Sequence, residues 1–194
     1  MEPGIFTGLF QKTINTVVAI GSLFYSSIDG VKADFSLFDI DVSQDVIIVS
    51  TQLIHCYSDG LDQIFKSGET VKIYYQLDLF SEKDSQPIYS WTLNHSIRYS
   101  LLDKSYEVYK SEIETVLLGL DFNRAKIELA EINAFPTMEV THLEKDILYY
   151  FRITAWMDNI QLQGMEKSLN LMYYWSRIRP VKESSEFNGS ISIQ

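Results

Sequence analysis

Residues 89–101 read YSWTLNHSIRYSL, with apolar, aromatic or histidine side chains at every odd position and polar side chains at every even one. Successive side chains of a β-strand point to opposite faces, so this alternation predicts one long strand with a buried and a wet face. The same period of two recurs over residues 47–53, 71–79 and 147–157. We therefore expect a mainly β fold, either an antiparallel β-sandwich or a strongly curved sheet.

Two short segments carry helix signals within this β-rich chain. Residues 58–68 begin with a serine that can cap a helix, present three apolar residues on one face and end in glycine. Residues 121–132 have apolar side chains at helical spacing before Pro136. We expect both helices to cover an edge or an end of the sheet.

The length of the chain favours one domain. Its 194 residues, 46% of them hydrophobic, can fill one core but are too few for two comfortable domains, and we place this domain at residues 34–180. Before it, residues 1–33 contain an uncharged stretch and the small-residue sequence Val31-Lys32-Ala33. Two interpretations stay open: an export signal or anchor, and an N-terminal segment that packs on the core. Residues 181–194 lack periodicity and predict a flexible polar tail.

The charge of the chain disfavours one class of partner. There are 26 acidic and 16 basic residues, and the formal net charge is −10. Phosphate backbones would be repelled, so we expect no nucleic acid among the partners. A single cysteine, Cys56, excludes an internal disulfide and a cysteine-rich metal cage.

Sequence motifs of catalysis and cofactor binding are missing. The chain has no Gly-x-Ser-x-Gly elbow, no phosphate-binding glycine loop and no His-Glu-x-x-His pair. His95 lies on the apolar face of the long strand, where a hydrogen-bonded core histidine is the favoured interpretation. His55 is adjacent to Cys56, so the two side chains point apart, and His142 lies in a polar loop. We expect no catalytic residue, cofactor or metal site, and we interpret one acidic cluster as a solvated strand end: Asp39, Asp41 and Asp45.

One group of residues combines aromatic rings with positive charge near the end of the domain. One interpretation is a docking surface for a protein partner or for anionic lipid headgroups. The favoured alternative is a last strand whose rings pack inward while the arginine stems cover its edge. The residues are Tyr173, Tyr174, Trp175, Arg177 and Arg179.

A second group of aromatic residues lies on the predicted inner faces of the strands. A curved sheet lined by such rings could enclose an apolar or sugar ligand, which would make the protein a small-ligand carrier. The candidate lining residues are Tyr75, Trp91, Tyr99 and Phe151.

The order of elements and several short motifs resemble a known family. The motifs are Leu61 with Gly68, the strand Val71 to Leu79, Tyr99-Ser100-Leu101-Leu102 followed by Tyr106-Glu107-Val108, residues 143–151, and Trp175. Over roughly residues 46–177 the chain resembles a bacterial family of small exported or envelope-associated proteins known only as a domain of unknown function. The resemblance implies a periplasmic or membrane-facing domain and supplies no catalytic residues.

These observations lead to one functional hypothesis and two alternatives. The leading hypothesis is a non-enzymatic, envelope-associated module that binds another protein, and association with a membrane surface is left open. A small-ligand carrier is the first alternative, and an uncharacterised enzyme is the second. We expect a periplasmic or membrane-associated location, with a cytoplasmic one as the alternative.

Overall fold

The computed structural model describes residues 30–162 and 167–190, so residues 1–29 of the expected export signal or anchor lie outside the described residues. The fold is mainly antiparallel β with two short helices, as the alternation predicts. The strands are β1 (Asp34–Phe35), β2 (Asp39–Ser43), β3 (Val46–Ile54), β4 (Val71–Ser81), β5 (Tyr89–Ser100), β6 (Ser105–Lys110), β7 (Thr115–Leu120), β8 (Glu131–Glu139), β9 (Leu148–Met157), β10 (Asn159–Ile160), β11 (Leu169–Asn170), β12 (Val181–Glu183) and β13 (Phe187–Asn188). The helices are α1 (Asp59–Phe65) and α2 (Phe122–Ala130), and 3₁₀ segments lie at Val140–His142 and Leu171–Trp175.

The larger sheet is strongly curved and has the strand order β12-β9-β4-β5-β6-β7, with β13 also paired to β9. Its long central strand β4 pairs with β5 from Val71↔Ile97 to Leu79↔Tyr89 and with β9 on its other side. Every second residue of β4 from Val71 to Leu79 is fully buried. The alternation therefore places one face of this sheet in the core.

A smaller sheet closes the other side of the core. It has the order β1-β3-β2, and β8 also pairs with β3. Buried and half-buried residues alternate along β3, and its buried face joins the same hydrophobic cluster as β4. Helix α2 contacts β5 and β6 of the larger sheet and β3 of the smaller one. The core thus lies between the two sheets and the helices.

Both helices form where their caps predict them. The Ser58 side chain accepts a hydrogen bond from Leu61 N in α1, and Asp121 accepts one from Arg124 N in α2. Helix α2 ends earlier than expected because residues 131–139 form β8, which carries Pro136 opposite Ile48. Proline has no backbone N–H to donate. It is tolerated in β8 because, among the described strands, β8 pairs with β3 alone and is therefore an edge strand. No helix among the described residues is long and apolar enough to cross a membrane.

The carboxy-terminal part of the chain differs from its expectation. The last strand considered for the rings of residues 173–175 does not form there, because these residues end the 3₁₀ helix Leu171–Trp175 that follows the short strand β11. The prediction of a flexible tail is wrong for residues 181–190, because β12 and β13 both pair with β9. Phe187 stacks on Phe151 with ring centroids 5.6 Å apart. Strands of two or three residues are too short for their periodicity to show in a sequence.

The packing of Phe187 predicts the cost of removing its ring. Phe187→Ala should lower the free energy of unfolding by about 3 kcal/mol, because a buried ring is lost from the end of the sheet. Glu186→Ala, at an exposed neighbouring position, is the control and should leave it unchanged. Urea unfolding measures both, and equal stability of the two variants would show that this segment does not belong to the core.

Candidate functional site

The structure corrects the expected docking surface at two of its residues. Trp175 is fully buried, and its Nε1 donates a hydrogen bond of 2.9 Å to the Cys56 carbonyl oxygen. Tyr174 is also buried, and its ring packs so closely on α1 that a Cβ added at Gly60 would lie 2.7 Å from it. The 3₁₀ helix turns these two rings inward and leaves Tyr173 outside. The alternative interpretation, rings packed inward, therefore holds for Tyr174 and Trp175.

The remaining three residues of this group are exposed and, together with the exposed Ile178, form what we call the arginine surface: Tyr173, Arg177, Ile178 and Arg179. The Arg177 guanidinium lies 4.3 Å from the centre of the Tyr173 ring, and the Arg179 guanidinium lies 5.2 Å from that of Trp156. Among the described residues, no carboxylate lies within 4.0 Å of either guanidinium. Both arginines are thus held by rings rather than by acidic side chains.

The backbone of this surface is an unusual turn. Ser176 and Arg177 have φ angles of 52° and 60°, in the left-handed region that residues with a Cβ seldom occupy. Such residues cost of the order of 1–3 kcal/mol each and persist only where their surroundings hold them. Here Arg177 N donates to Met172 O at 2.7 Å, and Ile178 N donates to Trp175 O at 2.9 Å. The buried Trp175 therefore fixes the turn that presents the two arginines.

A cleft of about 470 Å³ lies beside Arg179. Trp156 lines it and stacks on Tyr74 with ring centroids 5.4 Å apart. Partial burial and the hydrogen bond to Asp158 raise the pKa of Tyr74, so the Asp158 carboxylate is engaged by this hydroxyl. The other lining residues are Met157, Asn159, Asn170 and Met172. The cleft thus offers amide and aromatic groups next to a guanidinium that has no carboxylate partner among the described residues.

The four residues expected to line a ligand cavity lie in the core or against it. Tyr75 donates its hydroxyl hydrogen bond to Leu129 O at 2.8 Å and is fully buried. Phe151 contacts Trp91, and Tyr99 contacts Tyr106, with ring centroids 6.3 Å and 4.9 Å apart. Neither the cleft beside Arg179 nor a second one of about 330 Å³ near Cys56 is lined by any of the four. Each of these four side chains therefore contacts another group of the chain.

A network of charged groups is buried between β5, β6 and α2. His95 is fully buried; its Nδ1 lies 3.0 Å from Leu129 O, and its Nε2 lies 2.9 Å from a carboxylate oxygen of Glu112. Lys110 Nζ donates to the Glu131 carbonyl oxygen at 2.8 Å. It also lies 3.7 Å from the carboxylates of Glu112 and Glu128, and Arg124 pairs with Glu128 from the surface. The sequence predicted a hydrogen-bonded core histidine, but not these partners.

The groups of this network face one another closely. The two ring nitrogens of His95 face the Leu129 carbonyl oxygen and the Glu112 carboxylate. Burial raises the pKa of Glu112, but the hydrogen bond from His95 and the charges of His95 and Lys110 outweigh it and lower that pKa below its usual range. Every buried side-chain nitrogen and oxygen among the described residues has a partner. The network therefore ties three elements together and presents no group to a substrate.

The other candidate reactive groups are dispersed. Burial raises the pKa of the Cys56 thiol to about 12, so the thiol stays protonated near neutral pH. His55 is exposed just after β3, and His142 is exposed at the end of the 3₁₀ segment Val140–His142, before β9. Among the residues that the structure describes, no three His, Cys, Asp or Glu side chains converge as metal ligands would.

One exposed element was not predicted from the sequence. No strand was expected between the motif Tyr106-Glu107-Val108 and the helix that begins at Asp121. Residues 115–120, with the sequence TVLLGL, form β7 at the end of the larger sheet. The signal that could have found it is the uncharged, apolar run before the Asp121 cap. Its pattern is not strictly alternating because a register shift interrupts its pairing with β6.

The buried network predicts a pH-dependent contribution to stability. Glu112→Gln should lower the free energy of unfolding by about 3 kcal/mol near pH 7, because it removes the buried carboxylate that lies against the His95 ring and 3.7 Å from Lys110. The pKa of Glu112 is lowered in the folded state, so its contribution is complete above the ordinary value of 4.5 and is lost as the pH falls through the folded-state pKa.

Urea unfolding at a series of pH values between about 7 and about 3 measures this difference. The gap between wild type and Glu112→Gln should narrow toward the acidic end of the series. Glu114→Gln, at the exposed position two residues away, is the control and should show a small, pH-independent difference. A gap of the same size at every pH would contradict the assigned charge of Glu112.

Comparison with known proteins adds one finding. The model of the family described as Domain of unknown function (DUF4390) matches residues 32–166, which include both helices and the strands from β1 to β10. No curated protein and no solved structure matches the chain. The match covers well over half of the 194 residues and confirms the resemblance to a family known only as a domain of unknown function. The chain therefore belongs to the DUF4390 family.

Proposed function

We propose that this protein is a non-enzymatic, envelope-associated module that binds another protein, and that an acidic segment of that partner docks on the arginine surface. The observation that carries the proposal is the state of Arg177 and Arg179. Both are exposed and stacked on rings, and neither has a carboxylate partner among the described residues of a chain with 26 acidic side chains.

A guanidinium that rests on an aromatic face keeps its N–H groups free at the edge. Those groups match the two oxygens of a carboxylate, and such charge-assisted pairs are stronger than neutral hydrogen bonds. Holding the arginine on a ring also reduces the side-chain freedom that binding would otherwise remove. The stacks on Tyr173 and Trp156 therefore favour capture of acidic side chains.

Apolar contact area accompanies these charges. Ile178 lies between the two arginines in the sequence and has 58% of its surface exposed, and Tyr173 is exposed beside it. The cleft of about 470 Å³ next to Arg179 is large enough to admit a side chain of a docked segment. An aromatic ring, arginines and an aliphatic side chain in one patch are the composition that protein interfaces favour.

A protein partner is favoured over a membrane surface by the overall charge. Each arginine near an anionic leaflet contributes of the order of 1 kcal/mol of attraction. The whole chain carries a formal net charge of −10, so the leaflet would repel the rest of the molecule. A short acidic segment of a protein instead meets only the local positive charge.

The non-enzymatic part of the proposal rests on the state of the titratable groups. His95 and Glu112 are buried within a network that satisfies them. Cys56 has a pKa of about 12, and Lys126 is paired with Asp62 at 3.0 Å. These groups lack the exposure and the free hydrogen-bonding capacity that catalysis would use.

The envelope location rests on residues 1–33 of the sequence. If they are an export signal, protein isolated from its native host should begin near Asp34, because Val31 and Ala33 are spaced like the small residues that precede a signal cleavage site. Intact-mass measurement of the native protein, together with cell fractionation, checks this expectation. A full-length species confined to the cytosolic fraction would contradict it.

The docking proposal predicts a charge-dependent interaction. Peptides selected on the full-length chain from a random display library should carry carboxylates next to an apolar residue. The double variant Arg177→Glu, Arg179→Glu should lower the affinity for a selected peptide by about a hundredfold, since each lost charge-assisted hydrogen bond lowers it by about tenfold. Fluorescence polarisation with the synthetic peptide measures the affinity.

The matched control is Lys72→Glu, which changes an exposed cation to an anion on β4, away from the arginine surface. It should leave the affinity within about twofold of wild type. Selection of peptides without acidic residues, or equal loss in the control, would refute the proposal. Binding to anionic lipid vesicles that the double variant abolishes, with no acidic peptide selected, would assign the surface to a membrane instead.

A further inference from the structure

We infer that β7 is a second docking site, at which an extended protein segment that is uncharged in its middle and basic at both ends adds as a strand to the larger sheet. This site is separate from the arginine surface. Strand β7 ends the order β12-β9-β4-β5-β6-β7 on one side, whereas Arg179 lies just before β12 at the other. The two sites suit partners of opposite charge, because arginines form the first surface whereas acidic residues flank β7.

The backbone of β7 has an open side. Among the described residues β7 pairs with β6 alone, from Lys110↔Thr115 to Tyr106↔Leu120. Alternate N–H and C=O groups of an edge strand point away from its neighbour. An extended peptide can bind these groups with main-chain hydrogen bonds, which is the recognition known as β-augmentation.

The side chains of β7 leave this edge unprotected by charge. None of the residues from Thr115 to Leu120 is charged. Val116 and Leu118 are 47% and 67% exposed, and Val116 lies opposite the half-buried Tyr109 on the outer face of the sheet. Proteins commonly protect sheet edges with lysines or prolines, so an uncharged apolar edge indicates a surface that is covered by a partner.

A β-bulge limits how much of the edge is available. The register shift in the β6–β7 pairing lies between Tyr106 and Val108, and Gly119 has a φ angle of 71°. Bulges bend the strand and interrupt regular pairing. The regular part of the edge is therefore Thr115–Leu117, and a bound segment that continues toward Asp121 follows the bend of the bulge.

The charges at the two ends of β7 specify the partner further. Glu114 comes immediately before the strand and Asp121 immediately after it, and both are exposed. Glu112, in contrast, is turned inward to His95. A second copy paired along the whole strand would place Glu114 opposite Asp121 at each end, and like charges directly opposite are destabilising. Basic residues at both ends of the bound segment would instead pair with them.

The edge is also held rigidly before any partner binds. The turn that precedes β7 is tied to β5, because Ser111 N donates to Asn94 O at 3.1 Å and Asn94 N donates to the Ser111 hydroxyl at 2.8 Å. The contact of Glu112 with His95 anchors the same turn to the core. A preorganised edge loses little conformational freedom on binding, which favours recognition of an extended segment.

The test uses the full-length chain and two synthetic peptides with the same alternating threonine–valine middle. One carries a lysine pair at each end and the other a glutamate pair. The lysine-flanked peptide should bind about tenfold more tightly, because two exposed ion pairs are gained at the ends. Amide hydrogen exchange measured by NMR should show that binding protects the outward-facing amides of residues 115–118.

Two variants with the same substitution separate local from overall charge. Glu114→Lys should lower the affinity for the lysine-flanked peptide about fivefold. Glu186→Lys, at an exposed position outside both proposed docking sites, should have little effect on it. Equal binding of the two peptides, protection elsewhere than β7, or no binding would overturn the inference. The inference would also be overturned if ultracentrifugation detected a dimer that Leu118→Lys dissociates. In that case the control Leu102→Lys, at a neighbouring exposed turn, would leave the dimer intact.

Discussion

The double pairing of β4 is the interaction on which the rest of the structure depends. Its ladders with β5 and β9 form the longest part of the larger sheet, and its inner residues, including Tyr75, are fully buried. Because side chains alternate strictly along a strand, a shift of one residue would expose that entire face. The burial of β4 therefore sets the register of its neighbours, and through them the positions of β6, β7, β12 and β13.

The buried charges add specificity to this hydrophobic arrangement. His95 on β5 contacts Glu112 in the turn before β7 and the Leu129 carbonyl at the end of α2. A charged group in the interior is tolerated only when it is paired and hydrogen-bonded, so these contacts are compatible with one relative placement of the three elements. The network thus links the core to the edge strand, although it presents no group for chemistry.

The two proposed docking sites follow from what the core leaves outside. Burial of Trp175 fixes the left-handed turn that presents Arg177 and Arg179. At the other end of the sheet, one row of β7 backbone groups has no neighbouring strand among the described residues. The first site carries positive charge, whereas acidic residues flank the second. Opposite local charges at opposite ends of one sheet would allow the module to distinguish two partner segments of different composition.

Strict alternation in the sequence determined the long strands, and cap residues such as Ser58 and Asp121 determined where both helices begin, because these signals are local. Tertiary structure decided the remainder. Strands β12 and β13 are too short to show a period, and β7 is obscured by its bulge. Residues 173–179 were recognised as a group, yet only packing against α1 and Cys56 decided that Trp175 is buried while Arg177 is exposed. The partners of His95 come from elements distant in sequence, and no local pattern encodes which distant groups a folded chain brings together.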